Sequence, residues 1–281
     1  MTLAAAGALL LAIATVLSGC AAPQERPGDI TLVPEAASAS ASTQSSSASE
    51  ASSTGLQYRS VNVVRTKPGC QGELCPSITL KRLSFQGYER FNAFLERSLL
   101  GLALVDPGQD KTKTFRSLAD LANAFWTTAE DRYEIVLGAE VKRATPSIVV
   151  IALQSYAFTG GAHGMSTMQY INWTPSFDRI LTLNDLILPG RMRAFEAALK
   201  KQHAKWLETN EFAQSDKSEY VKMWPFQFSD NAALMQDGIA VTFDHYVLGP
   251  YALGMPTIVV PFSELKGIIN SGLLKKLKIQ G

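Results

Sequence analysis

An excess of charge of either sign is missing from this 281-residue chain: 26 lysines and arginines face 25 aspartates and glutamates, a net +1. Binding to nucleic acid draws on a clustered positive face that releases counterions, so nucleic acid is excluded as the expected partner. Lys275, Lys276 and Lys278 do lie close together, and they read as a solvated helix face. Histidine is scarce, with only His163, His203 and His245, and a hydrolytic zinc needs three protein ligands with an open position. Cysteine is equally scarce. Cys20 stands alone and Cys70 and Cys75 form a close pair; without a second Cys or His pair at ligand spacing, a closed zinc site is not expected. Long apolar runs are missing too, since the longest, residues 4–17, is too short to span a bilayer as a permanent helix.

That apolar run reads as the central region of a signal peptide, although no Lys or Arg precedes it. Export to an oxidising compartment makes Cys70–Cys75 a disulfide. Leu17-Ser18-Gly19-Cys20 is similar to the bacterial lipobox. The resemblance implies residues 1–19 as a lipoprotein signal peptide, cleavage before Cys20 and a diacylglycerol on its sulfur. Ala21 follows Cys20 where an aspartate would imply retention at the inner membrane. The implied location is therefore the periplasmic face of the outer membrane, with the membrane as a partner through the lipid anchor. Residues 20–55 read as the lipidated cysteine and a linker. Positions 36–54 are Ala, Ser and Thr except for Gln44 and Glu50, a composition too poor in apolar area to offset the entropy of ordering.

Residues 56–281 read as the folded part, either whole or as subdomains 56–145 and 146–281. Residues 57–65 and 77–85 alternate as strands flanking the Cys pair. Tyr88, Phe91, Leu95, Leu99 and Leu102 recur at helical spacing, Asp106-Pro107-Gly108 breaks the pattern, and Phe115, Leu118, Leu121, Ala122 and Phe125 mark a second helix with Thr114 as its cap. From Arg132 the period becomes two, giving strands that turn at Thr145-Pro146-Ser147 and again at a glycine loop. A helix over 191–210 carries Met192, Phe195, Leu199 and Trp206 on one face, with His203 expected at the surface. Strands over 238–245 and 257–260 follow, and a last helix is expected to open at Ser263. Strands grouped apart from helices give an α+β fold, an antiparallel meander with helices packed on it.

Chemistry concentrates in Tyr156-Ala157-Phe158-Thr159-Gly160-Gly161-Ala162-His163-Gly164, where glycines shape a loop between two strands. The nearby Tyr156, Tyr246 and Tyr251 offer a contact surface or simple rim residues. His163 either touches a ligand or hydrogen-bonds a backbone carbonyl and pins its own loop. Enzymatic arrangements are thin. A His163-His245-Asp244 metal site requires neighbours on a strand to point the same way, against their alternation. A Ser166-His163-Asp244 relay has no nucleophile elbow around Ser166. No catalytic residue, metal or cofactor is assigned.

The same stretch, 156–164, resembles the Tyr-x-x-x-Gly-Gly-Ala-His-Gly signature of the RsiV-like domain. Ile180 to Leu186, Tyr246-Val247-Leu248-Gly249-Pro250-Tyr251-Ala252-Leu253-Gly254 and Val259-Val260-Pro261-Phe262-Ser263-Glu264-Leu265 resemble its later segments. The resemblance implies an extracytoplasmic α+β binding module, found in a lysozyme-sensing anti-sigma factor and beside cell-wall polysaccharide deacetylases. It implies lysozyme or peptidoglycan as partner, with Tyr156, Gly160, Gly161, His163, Gly164, Tyr246 and Tyr251 as candidate binding residues. A cell-wall glycan hydrolase or deacetylase is the alternative. The chain carries no sigma-binding segment and no separate deacetylase domain, so anti-sigma activity is not carried over.

Overall fold

A computed structural model describes residues 48–53, 56–105 and 114–279. The apolar run, Cys20 and the Asp106-Pro107-Gly108 break lie outside the described residues. The large sheet contains seven strands in chain order: β1 (Ala48–Ser53), β2 (Leu56–Thr66), β3 (Ser77–Phe85), β4 (Glu134–Ala144), β5 (Val149–Phe158), β6 (Met165–Thr174) and β7 (Arg179–Leu181). The expected α+β class holds, with one change to the meander: β3 and β4 pair in parallel, from Ser77↔Glu134 to Lys81↔Gly138. The helices α1 (Glu89–Gly101) and α2 (Leu118–Thr128) lie between these two strands in the chain. They carry it back to the end where β3 began, as a parallel pair requires.

The stretch expected to run as linker to residue 55 contributes β1, whose six residues pair antiparallel with β2 from Ala48↔Val61 to Ser53↔Leu56. Such pairing uses main-chain donors and acceptors, so an Ala/Ser composition does not forbid it. At the other end of β2, the Cys70–Cys75 disulfide closes the connection to β3, with Cα atoms 5.7 Å apart.

Neighbouring residues of β5 point to opposite faces of the sheet, and both faces are covered. Val149, Ile151 and Leu153 join Phe91, Leu95 and Leu99 of α1 and Leu121 and Phe125 of α2 in one core. Ile148 and Val150 belong to a second core on the other face. A strand covered on both sides reads as an unbroken apolar run, which is what Val149 to Leu153 show. Helix α2 starts later than expected. Ser117, not Thr114, caps it by accepting from the Asp120 N–H, and Phe115 is buried ahead of the helix.

The second core is closed by α3 (Leu183–Leu186), α4 (Met192–Leu207), α6 (Ser271–Lys276) and a three-stranded antiparallel sheet of β8 (Ala232–Leu234), β9 (Gly238–Thr242) and β10 (Thr257–Pro261). A further helix, α5 (Lys217–Met223), covers a small satellite cluster of Leu207, Ala213 and Tyr220. The final helix does not open at Ser263. A single 3-10 turn spans Phe262–Glu264, Gly267 takes a left-handed φ of 71°, and helix resumes only at Ser271. His203, expected at the surface, is buried with 3% exposure, against Trp206 and Phe226. Phe195, Leu199, His203 and Leu207 form one stripe of α4 at four-residue spacing. Among the described residues no helix is long and apolar enough to cross a membrane.

Two asparagines fasten the sheets together. Asn172 on β6 is 2% exposed; its Nδ2 donates to the Ala232 carbonyl (2.8 Å) and its Oδ1 accepts from the Leu234 N–H (2.7 Å). Asn231 returns the arrangement, accepting from the Tyr170 N–H and donating to the Met168 carbonyl, both at 2.8 Å.

Candidate functional site

The strand directions bring three loops to one end of the large sheet. The Cys70–Cys75 loop is held to the turn before β4, where the Arg132 N–H donates to the Leu74 carbonyl and Lys67 Nζ to the Ala129 carbonyl (both 2.7 Å). Tyr133 at that turn meets Phe158 edge-on. Beyond Phe158 the β5–β6 loop begins. Gly160 and Gly161 adopt φ of 92° and 86°, the left-handed region that glycine enters without Cβ strain. At Gly164 the constraint is space: a Cβ there would lie 2.4 Å from the Tyr156 ring. The ring of Tyr156 therefore seats directly on the loop.

The segment after β9 completes the site. Tyr251 Oη donates to the Gly164 carbonyl (2.8 Å), and His163 Nδ1 lies 3.0 Å from the same oxygen. The Tyr251 ring stacks on His163 with centroids 3.7 Å apart and on His245 at 4.5 Å, both nearly parallel. Two imidazoles cannot share one face of a phenol ring at these separations, so Tyr251 is sandwiched between them. Tyr246 is 46% exposed, adopts φ of 64°, and places its Oη 3.4 Å from His163 Nε2. A bulky side chain in the left-handed region carries strain that the surrounding loop must offset. The loop is braced from behind by Tyr220 of α5, whose Oη donates to the Leu248 carbonyl (2.6 Å).

Two phenols of this cluster, Tyr156 and Tyr251, are held neutral at ordinary pH. Burial raises the Tyr156 phenol above its usual value, and Glu134 and Tyr251 push it the same way. Burial also raises the Glu134 carboxyl. The Tyr251 phenol is raised by burial and by Tyr246. His245 is lowered, chiefly by burial; a backbone hydrogen bond with Tyr251 and the Asp244 charge oppose this, and His163 adds to it. The phenols therefore act as donors and neutral stacking surfaces.

The sequence-derived residues thus fall in one place. Tyr156, Gly164, His163, Tyr251 and Tyr246 form a contiguous chain of contacts, a Cβ at Gly160 would lie 3.1 Å from the Tyr133 hydroxyl, and Gly161 is open. Among the described residues, neither the His163-His245-Asp244 nor the Ser166-His163-Asp244 arrangement is assembled. Asp244 accepts from Thr167 Oγ1 (3.2 Å), and among the described residues no hydrogen bond joins it to either imidazole. The Tyr251 ring occupies the space between the imidazoles that a shared metal would need, and no group of three His, Cys, Asp or Glu among the described residues is placed to hold an ion. Sequence reasoning missed three members: the stacking role of His245, the brace from Tyr220, and Tyr133 beneath Gly160. His245 alone had a signal, its position beside Tyr246.

These features define an α+β protein with an aromatic and imidazole surface built on two glycine-bearing loops. Residues 184–263 match the family described as "Protein of unknown function (DUF3298)". The crystal structure of a DUF3298 family protein from Pseudomonas aeruginosa PAO1 is 32% identical with a TM-score of 0.70, covering 78% of this chain and 96% of that one. The chain belongs to this family. A second family member, from Bacteroides fragilis NCTC 9343, shares the fold at 20% identity and a TM-score of 0.60, over 80% of this chain and 98% of that one. Among curated proteins no match is found.

Proposed function

We propose that this chain is a non-catalytic binding module of the bacterial envelope, tethered through a lipid on Cys20 and recognising lysozyme through the 156–164 and 246–254 loops. The observation that carries the binding reading is Tyr246, held exposed in a strained left-handed backbone beside the stacked His163, Tyr251 and His245 rings. Strain of this kind persists where the neighbouring structure over-determines it, commonly at ligand contacts. Tyrosine supplies large contact area at little entropic cost. The resemblance to RsiV-like domains supports lysozyme as the partner, and the lipobox supports an address on the periplasmic face of the outer membrane.

Calorimetric titration of the chain from residue 21 onward with hen-type lysozyme tests the reading. Tight binding is expected, and Tyr246→Ala should weaken it by at least about tenfold, the cost of losing one aromatic anchor. Binding that survives both Tyr246→Ala and His163→Ala in folded protein places the contact elsewhere. Binding to peptidoglycan fragments alone makes the ligand a glycan, and His163-dependent turnover of glycan amides makes the protein a hydrolase.

A further inference from the structure

The opposite end of the large sheet holds a second feature that the loop surface does not use. Helix α1 packs over β3, β4 and β5, and a cleft of about 400 Å³ lies between it and the corner where β6 turns into β7. One wall is a single stripe of α1, with Arg90, Ala93, Phe94 and Arg97 at helical spacing. The other is built from Trp173, Asp178 and Ile180. The floor is rigid: Trp173 is fully buried, stacks on Phe91 at 3.8 Å and meets Tyr88 edge-on at 4.7 Å. Its indole N–H donates to Asp178 Oδ1 (3.3 Å).

The charges at the cleft do not cancel. Asp178 is committed to the indole, whereas neither Arg90 nor Arg97 forms an ion pair or hydrogen bond with a described residue. Both guanidiniums stay exposed, above an apolar floor, and the small Ala93 between them leaves the space open. The separation of seven residues places their Cα atoms about 10 Å apart along the axis, within reach of convergence by two long side chains. The volume lies within the range of small-molecule sites, and paired guanidiniums suit an oxyanion such as a carboxylate, phosphate or sulfonate.

From this arrangement we infer that the α1–β7 cleft binds a small organic anion with an apolar body, its acidic group held between Arg90 and Arg97 and its body lying on Phe94 and Ile180. Residues Met165 and Thr174 begin and end β6, so the cleft stands roughly 30 Å from the glycine loop by strand rise. The two surfaces are separate, and this inference does not rest on the lysozyme reading.

Two naphthalene probes of the same skeleton test it: 8-anilinonaphthalene-1-sulfonate, and the neutral N-phenyl-1-naphthylamine. The anionic probe should bind at least about tenfold more tightly, as expected for a hydrogen-bonded charge, and lose that advantage as salt screens the charges. In Arg90→Gln/Arg97→Gln the difference between the probes should vanish, with the melting temperature unchanged because both side chains are exposed. Ala93→Trp, which fills the cleft and keeps both charges, should expel both probes. Lys266→Gln/Lys275→Gln, at an unrelated cleft near α6, should change nothing. Wild-type affinity in the double arginine variant, indifference to Ala93→Trp, or loss of binding in the lysine variant overturns the assignment.

Discussion

Gly164 and His203 show how single positions set both shape and stability here. A methyl group at 164 would press into the Tyr156 ring at 2.4 Å, so Gly164→Ala should destabilise the protein by about 1–3 kcal/mol, the usual range for overpacking. Urea unfolding measures this, and the clash predicts its own remedy: Tyr156→Ala should absorb most of the added cost in a double-mutant cycle. His203 contributes to the response to acid. Burial, with Lys200 adding to it, lowers its imidazole below 6.5, and burial lowers His245 in the same direction. The folded state then binds fewer protons than the unfolded chain, so stability is complete above the unfolded value and falls as pH drops through 6.5 toward the depressed folded values. His203 Nε2 is buried without a partner among the described residues. His203→Phe, set between Trp206 and Phe226, should therefore flatten stability between about pH 6.5 and 5 while leaving it intact near neutrality. An unchanged slope would remove His203 from the acid response.

At the scale of elements, the joints between the two sheets carry more than their size suggests. Asn172 satisfies the Ala232 carbonyl and the Leu234 N–H inside a closed core. Asn172→Leu strands both groups and should cost about 3 kcal/mol by denaturant titration, the penalty for a few unsatisfied buried polar atoms. The Cys70–Cys75 bridge closes a short loop, and Cys70→Ser/Cys75→Ser should lose about 2 kcal/mol on the chain-entropy view. Strands β2 to β6, α1 and α4 were legible because period-two and helical spacing survive wherever one face is buried. What escaped has specific causes. β1 pairs through its main chain and has no apolar pattern to read. β8 is three residues long, too short for periodicity. The parallel β3–β4 pairing follows from the path of two helices that no local spacing encodes. In the site, Gly164 and His163 announced themselves, since glycines around a histidine in a strand-to-strand loop are unusual. The brace from Tyr220 joins residues 28 apart, and nothing around Tyr220 in the chain signals it.

For the molecule as a whole, the organising fact is that β5 belongs to both cores, Val149, Ile151 and Leu153 facing α1 and α2, and Val150, with Ile148 just before the strand, facing the smaller sheet. Unfolding should accordingly be a single transition, with the tryptophan signal and far-UV ellipticity coinciding in urea; separate midpoints would show that the cores melt independently. The turn at Thr145 to Ile148, closed by the Thr145 N–H to the Ile148 carbonyl, is the one place where the chain could be cut between β4 and β5 without severing a strand. Neither piece could then hide its share of the sheet alone, yet each presents the edge the other lacks. Two such pieces, each fused to one of two interacting proteins, would regain the fold only when drawn together, which makes this chain a candidate split reporter for proximity.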